Sequence, residues 1–330
     1  MLLVIFVDEL LFQGSMSESV RSNQSADGTY CGRFAPSPTG PLHFGSLVAA
    51  VGSYLDARVH AGAWLLRIED VDEPRTVPGA AEGILRTLEA FGFEWDGAVL
   101  VQSRRLDLYH AALVRLQLDG EVYPCACSRR EIADAATQVS VDGGVAYPGT
   151  CRAGLPEGCA ARSWRLSVPD RELCFEDRVQ GMQRQNLAHE LGDFILLRAD
   201  GQYAYQLAVV LDDAAQGVTA VVRGADLLDS TPRQMWLQQR LGVPVPSYAH
   251  LPVATNAAGE KLSKQTQAAA VDVTRGSRVL AEVLDFLGHP VPAALRTAPL
   301  AEFWPWAISV WSVAKVPAVR GIFPGQCLPP

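Results

Sequence analysis

A stretch of fourteen residues, Arg33 to Ser46, constrains this chain more than any other: Arg-Phe-Ala-Pro-Ser-Pro-Thr-Gly-Pro-Leu-His-Phe-Gly-Ser. Three prolines and two glycines cannot continue a strand or a helix interior. The run is therefore a stiffened loop. Before it, Tyr30 to Phe34 reads as a short strand; after it, Leu47 to Val59 has apolar residues at helical spacing. A loop that delivers an arginine, an imidazole and glycines to a helix N-terminus suits a phosphate group. Backbone N–H groups and the helix dipole face the anion there, and glycine permits close approach. His43 and the backbone of Gly45 and Ser46 are the candidate phosphate contacts, with Thr39 and Gly40 shaping the approach. The same residues also suit a plain strand-to-helix turn.

The next segments extend this unit. Ala63 to Ile68 is a compact apolar run of the kind found in a buried parallel strand. The acidic turn Glu69-Asp70-Val71-Asp72 follows, and Ala80 to Phe91 repeats a helical pattern. Strand, loop, helix and strand in this order describe a βαβ unit of a doubly wound α/β sheet. From Tyr123 to about Gly192 the periodicity weakens and Cys, Gly and Pro accumulate, which reads as an insertion. Ala204 to Leu211 fits a strand or a buried helix, and Gly217 to Gly224 is similarly apolar. Thr231 to Leu241 reads as a helix with Thr231 as N-cap and Pro232 at its first position. After Gln267 the Ala- and Leu-rich remainder suggests a small helical subdomain.

The expected organisation is a leader over 1–29, the first half of a nucleotide-binding domain over 30–122 and an insertion over 123–192. The second half follows over 193–267, with a C-terminal helical subdomain over 268–330. Within the leader, Leu11-Phe12-Gln13-Gly14-Ser15 resembles a protease-cleavage linker, and an over-long start assignment would read the same way. No basic region precedes the short apolar start, which argues against a secretory signal.

With 330 residues, 48% hydrophobic and 19% charged, the composition is that of an ordinary globular protein with room for two domains. A net charge of -8 argues against indiscriminate nucleic-acid binding but leaves room for a local basic groove. Seven cysteines without a secretory signal point to reduced thiols in a cytoplasm. Cys125, Cys127 and Cys151 have the spacing of a thiolate zinc knuckle, and on chemistry alone Cys159 is the preferred fourth ligand. Three buried free thiols are the bland alternative. Lys261-Leu262-Ser263-Lys264-Gln265 places two ammonium groups three residues apart, able to close over a triphosphate or simply to sit in a solvated loop.

Together the His43 loop, Arg67-Ile68-Glu69-Asp70 and the lysine loop resemble the HIGH and KMSKS elements of class I aminoacyl-tRNA synthetases, in the form of the glutamyl-tRNA synthetase group. The resemblance runs from about Tyr30 to Gln267. It departs at Ser46, near which the family more often carries a second histidine. It implies a Rossmann-type class I catalytic core with a zinc-containing insertion, and a ligase that uses ATP with Mg2+. His43, Ser46, Lys261 and Lys264 take the catalytic positions, Lys264 as the phosphate contact of the second-lysine position. Thr39, Gly40, His43, Gly45, Ser46 and Lys264 fall on the ATP site.

Arg33, Ser37, Glu69, Tyr205 and Arg223 match the family's glutamate-binding positions. Arginine forks suit carboxylates, the Tyr205 hydroxyl suits the side-chain carboxylate, and Glu69 complements the α-ammonium. Arg223 also suits an ion pair with Asp212 or Asp226. Only 65 residues follow Gln265, which is short for an anticodon-binding domain. That likens the chain to the glutamyl-queuosine branch, which activates L-glutamate without tRNA and transfers it to queuosine at the wobble position of tRNA(Asp). The C-x-C…Y-x-x-x-C pattern of that branch makes Tyr147 the fourth Zn2+ ligand beside Cys125, Cys127 and Cys151. Arg104, Arg105, Arg129 and Arg130 are candidate RNA contacts. The expected protein is a cytoplasmic monomer that engages neither membrane nor DNA. Two alternatives stay open: a truncated glutamyl-tRNA synthetase that charges the tRNA 3′ end, and a silent paralogue that only binds nucleotide or RNA.

Overall fold

The fold begins at β1 (Cys31–Phe34) in a computed structural model of the chain that describes residues 29–135, 145–155, 157–256 and 269–324. The Pro/Gly loop follows and is tied down at its start, where Glu69 N–H donates to the Pro36 carbonyl at 3.0 Å. Helix α1 (Phe44–Val59) then starts from His43, whose Nδ1 accepts the Ser46 N–H and so serves as the N-cap. The helix starts three residues earlier than its apolar periodicity suggests, because the cap is an imidazole. Leu47, Val48, Val51 and Leu55 are buried along it, and Gly52 lets it lie close to the sheet. A Cβ at Gly52 would stand 2.4 Å from Leu251 Cδ1.

Strand β2 (Ala63–Ile68) pairs in parallel with β1, from Cys31 opposite Ala63 to Phe34 opposite Leu66. Helix α2 (Ala80–Ala90) leads to β3 (Leu100–Val101), which pairs in parallel on the outer side of β2. After α3 (Leu106–Leu118) comes the insertion. Its elements are β4 (Val122–Cys125), α4 (Arg129–Ala135), β5 (Ser163–Leu166), β6 (Glu172–Asp177), β7 (Gly181–Asn186), α5 (Leu187–Glu190) and β8 (Phe194–Leu197). Strands β4, β5 and β8 form an antiparallel sheet that runs on to Leu197, past Gly192. Strands β6 and β7 form a hairpin.

The chain then returns through α6 (Tyr205–Ala215), β9 (Ala220–Gly224), α7 (Thr231–Leu241), β10 (Ser247–Leu251) and β11 (Val253–Ala254). The run from Ala204 to Leu211 is thus a helix. Thr231 lies inside α7, and Ser230 holds the N-cap position without a side-chain cap bond. The Thr231 hydroxyl is spent elsewhere, on Arg223. Strands β9 and β10 pair in parallel, and Thr219 N–H donates to the Cys31 carbonyl at 2.9 Å, joining β9 to β1. The parallel layer therefore runs β3-β2-β1-β9-β10, and its order reverses between β1 and β9. Open α/β sheets bind ligands beyond the strand C-termini at such a switch point.

Helices α8 (Gly276–Phe286) and α9 (Leu300–Val310) pack Leu280, Leu284, Phe303 and Ala307 into the same core as α1, β1 and β2. Strand β12 (Gly321–Ile322) pairs with β11. A second core lies under α3, α6, α7 and the insertion sheet.

One buried carboxylate fastens these parts. Asp56 on α1 accepts from Arg178 at 2.6 and 3.0 Å and from Trp311 Nε1 at 3.3 Å, and the Tyr30 hydroxyl donates to it. Asp56→Ala would leave a half-buried guanidinium without its anion. Loss of one partner from a buried pair costs about 3–5 kcal/mol. We expect a destabilisation of that order in chemical denaturation; a change below about 1 kcal/mol would show that the cluster contributes little.

Candidate active site

Each of the three strands at the switch point carries an arginine in its penultimate position: Arg33 on β1, Arg67 on β2 and Arg223 on β9. All three are buried. Buried cations need partners, and the partners come from the helix that follows the insertion. Asp213 Oδ1 on α6 accepts from Arg33 Nε at 3.2 Å and from Arg67 Nη2 at 2.7 Å. Burial works against the Asp213 charge, yet Arg33 and Arg67 hold its carboxyl below the usual range. Arg67 is fully committed: its Nε and Nη2 reach Glu69 Oε1 at 3.3 and 3.2 Å, and its Nη1 reaches Gln216 Oε1 at 2.7 Å. It is a structural residue that fixes Glu69.

Arg33 and Arg223 are held differently. Arg33 is anchored through Nε alone. Arg223 has one edge occupied: Nε–H donates to His250 Nε2 at 3.0 Å and Nη2 to Thr231 Oγ1 at 2.9 Å. It is paired with neither Asp212 nor Asp226; Asp212 instead accepts from Gln102, Arg105 and Tyr109. The Arg223 Nη1 group is buried and makes no hydrogen bond among the described residues. A dry, unused cationic donor is costly unless a ligand acceptor meets it.

Tyr205 stands at the head of α6 among these charges. Burial raises its phenol pKa; Arg223 and Arg33 oppose that shift, and Glu69 and Asp213 reinforce it. Burial likewise raises the Glu69 carboxyl, partly offset by Arg67 and Arg33. Arg33, Glu69 and Arg223, predicted from separate segments, thus all lie near enough to Tyr205 to act on its hydroxyl electrostatically. Ser37 lies exposed on the adjoining loop.

Beside this pocket, the His43 ring folds onto the start of α1, with Nδ1 against Ser46 N–H at 3.3 Å and Nε2 against Ser46 Oγ at 3.1 Å. The hydroxyl at Ser46 therefore engages the imidazole. Thr39 and Gly40 lie along the same loop, and Gly45 is in the first turn of α1. Lys261 and Lys264 fall outside the described residues. The described chain just beyond them returns to the loop, where Ala270 bridges His43 and Val271 N–H donates to the Leu42 carbonyl at 3.0 Å.

In the insertion, the Sγ atoms of Cys125, Cys127 and Cys151 lie within 4.8 Å of one another. The Tyr147 hydroxyl is 3.4 Å from Cys125 Sγ and 3.7 Å from Cys127 Sγ, and Cys127 and Cys151 are 3.5 Å apart. Tetrahedral zinc with Zn–S of about 2.3 Å puts sulfurs about 3.8 Å apart, so the donor set fits one ion. Cys159 is exposed and outside the cluster, and the Tyr147 hydroxyl lies beside the three thiols. Gly192 packs against that tyrosine with φ of 72°, where a Cβ would meet the Tyr147 carbonyl oxygen at 2.3 Å.

Of the four arginines predicted to meet RNA, Arg104, Arg129 and Arg130 are exposed. Arg105 is partly buried, with its Nε on buried Asp212 at 2.6 Å. Among the described residues, no helix is long and apolar enough to cross a membrane.

The family described as tRNA synthetases class I (E and Q), catalytic domain, matches residues 31–284. The chain belongs to this family. It is therefore an ATP-using ligase. A relative from Dechloromonas aromatica named glutamyl-Q tRNA(Asp) synthetase is 64% identical over 288 residues, 87% of this chain and 96% of the relative. A relative of the same name from Aromatoleum aromaticum is 62% identical over 87% of this chain and 90% of its own. Among solved structures, the glutamate-tRNA synthetase of Elizabethkingia anophelis matches with a TM-score of 0.71 at 27% identity, covering 88% of this chain and 67% of that one.

Sequence reading missed His250 and Asp177, which stand behind Arg223. Arg223 donates to His250 Nε2, so that nitrogen carries no proton, and Nδ1–H donates to Asp177 Oδ2 at 2.6 Å. Burial, with the charge of Arg223, lowers the His250 pKa to about 4. The unfolded imidazole titrates near about 6.5 and so binds more protons than the folded one between these values. Stability should therefore rise with pH from about 4 to about 6.5, this group adding up to about 1.4 kcal/mol per pH unit. Asp177, held below its usual range against the cost of burial, adds acid sensitivity below that window. Denaturation across the window should show the slope, and His250→Gln should flatten it; equal slopes in both proteins would remove His250 as its source.

Proposed function

We propose that this protein activates L-glutamate with ATP, without requiring tRNA, and transfers the glutamyl group to queuosine at the wobble position of tRNA(Asp). The observation that carries the amino-acid assignment is the buried Nη1 of Arg223, without a hydrogen-bond partner among the described residues, with Arg33 acting on the same Tyr205. A dicarboxylate with one ammonium group matches this lining. Arg33, Arg223 and Tyr205 take its carboxylates, Glu69 takes the ammonium through the oxygen that Arg67 does not use, and Ser37 closes the loop side. The acceptor assignment rests on relatives named glutamyl-Q tRNA(Asp) synthetase, of which this chain covers 90–97% at 56–64% identity.

In activation, a glutamate carboxylate oxygen attacks the α-phosphorus of ATP. The new C–O–P linkage forms as the bond to pyrophosphate breaks. Thr39, Gly40, His43, Gly45 and Ser46 line the nucleotide side, with Lys261 and Lys264 following the departing pyrophosphate and Mg2+ accompanying ATP. Positioning and charge stabilisation supply the rate. In transfer, an RNA hydroxyl attacks the activated carbonyl and AMP leaves. Exposed Arg104, Arg129 and Arg130 are candidates to meet RNA phosphates. The protein works as a cytoplasmic monomer. One structural Zn2+, held by Cys125, Cys127, Tyr147 and Cys151, organises the insertion.

ATP–pyrophosphate exchange should proceed with glutamate and ATP-Mg2+ alone. Labelled glutamate should then attach to total tRNA only when the tRNA carries queuosine. Exchange that needs added tRNA, with label on the 3′ end, would favour conventional charging; no exchange at all would favour a silent nucleotide binder.

Cys127→Ser should lower bound zinc from one equivalent to well below one and open the insertion to proteolysis, while adenylate formation suffers less than transfer. Purified unmodified protein without stoichiometric zinc, and indifferent to added zinc, would return the three cysteines to the role of buried thiols.

A further inference from the structure

The glutamate pocket contains a positioning device that the reaction itself does not require. Three elements meet behind Arg223. From β10 comes His250, fully buried, with its ring roughly parallel to that of Tyr248. From β6, in the insertion, comes Asp177. From the start of α7 comes Thr231. The Asp177 carboxylate is saturated: Oδ1 accepts the backbone N–H groups of Val179, Gln180 and His250 at 3.0, 2.8 and 3.1 Å, and Oδ2 accepts His250 Nδ1–H at 2.6 Å. The carboxylate therefore cannot swing away, and it offers His250 only an acceptor. That fixes the imidazole tautomer. The bare Nε2 then accepts Arg223 Nε–H at 3.0 Å, and Thr231 Oγ1, itself 3.2 Å from Nε2, takes Nη2–H at 2.9 Å beside it. Two acceptors grip one edge of the guanidinium, and only Nη1 is left to point elsewhere.

Building on the glutamate-activating reading, we propose that Asp177 and His250 are positioning residues that set amino-acid affinity. Asp177 imposes the Nδ1–H tautomer on His250, and that tautomer holds Arg223 with Nη1 facing the ligand carboxylate. The other tautomer would turn an N–H toward the Arg223 N–H, and donor would face donor. Lysine could not replace this arrangement, since an ammonium has no separate edge and end. The charged groups around the imidazole are Asp177 from β6, Arg223 from β9 and, farther off, Asp226 from the turn after β9.

Asp177→Asn tests the idea with one atom's change. The side-chain oxygen can keep the three backbone N–H groups, and the amide N–H₂ then faces His250 Nδ1 and demands the opposite tautomer. A wrong tautomer with intact geometry is a known way to disable a histidine. In glutamate-dependent ATP–pyrophosphate exchange by the full chain, KM for glutamate should rise about tenfold or more, the loss expected when a charged hydrogen bond is misdirected. KM for ATP should stay within about threefold, since Arg223 meets the amino acid only. Nitrogen NMR of the ring should show the proton on Nδ1 in the unmodified protein and on Nε2 in the variant.

If Asp177→Asn does not fold, His250→Gln and His250→Leu decide. The Gln side-chain oxygen can still accept from Arg223 and should keep KM for glutamate several-fold below that of His250→Leu. An unmodified protein that exchanges with glutamate, alongside variants whose glutamate KM is unchanged or whose ATP KM rises equally, would overturn the positioning role alone. An unchanged tautomer in Asp177→Asn would do the same. An unmodified protein that fails to exchange with glutamate would overturn the functional reading as well.

Discussion

A single carboxylate oxygen, Asp213 Oδ1, sets the geometry of the buried charges at the strand ends. It lies between two buried arginines from neighbouring strands, Arg33 and Arg67, and pairs with both at once, with Glu69 as the second anion on Arg67. In a low-dielectric interior such pairing is obligatory, because an unmatched guanidinium would not stay buried. Its neighbour Asp212 does the same work in the opposite direction, binding Gln102, Arg105 and Tyr109. Two consecutive acids on α6 therefore lock that helix both to the strand ends and to the segment around α3. The charge pattern and the chain topology are one fact here: α6 can sit only where its anions meet those cations.

Arg33 and Arg223 share a design that follows from this. Each is anchored through Nε, by Asp213 in one case and by His250 in the other, and each therefore keeps nitrogen atoms for something else. Arg67, penultimate on its strand like the others, has no such reserve and serves Glu69 instead. The three arginines thus differ in which atoms the protein has already used. Position at the strand C-terminus alone does not separate them.

The sequence spoke most clearly where one kind of information sufficed. Ala63 to Ile68 reads as a strand with the bounds observed, because a continuous apolar run closed by acids has few other homes. Ala204 to Leu211 stays ambiguous from periodicity because a helix buried on nearly all sides has no polar stripe; Asp212 and Asp213 just beyond it are the visible sign that it needs partners. Arg105 looks like a surface cation until its acid, 107 residues away, is brought beside it. His250 gives less signal still: its partner Asp177 lies 73 residues earlier, inside what reads as an irregular insertion. For the fourth partner of the cysteines, ligand chemistry favours Cys159 and resemblance favours Tyr147; the fold leaves Cys159 exposed and sets the Tyr147 hydroxyl beside Cys125 and Cys127. In each case the missing knowledge was long-range proximity, which local pattern does not carry.

Asp177 and Arg178 are neighbours in sequence, and they fasten the end of β6 in two directions. Asp177 reaches into the parallel sheet at His250, whereas Arg178 reaches the first helix at Asp56. The hairpin is therefore not an exchangeable module. A chimera that replaced the insertion with one from a distant homologue would have to bring this dipeptide in the same register against Tyr248, or lose helix anchoring and arginine alignment together. Substitutions at the β6 end would therefore disturb two distant elements at once, whereas the exposed residues of β7 carry no such double tether.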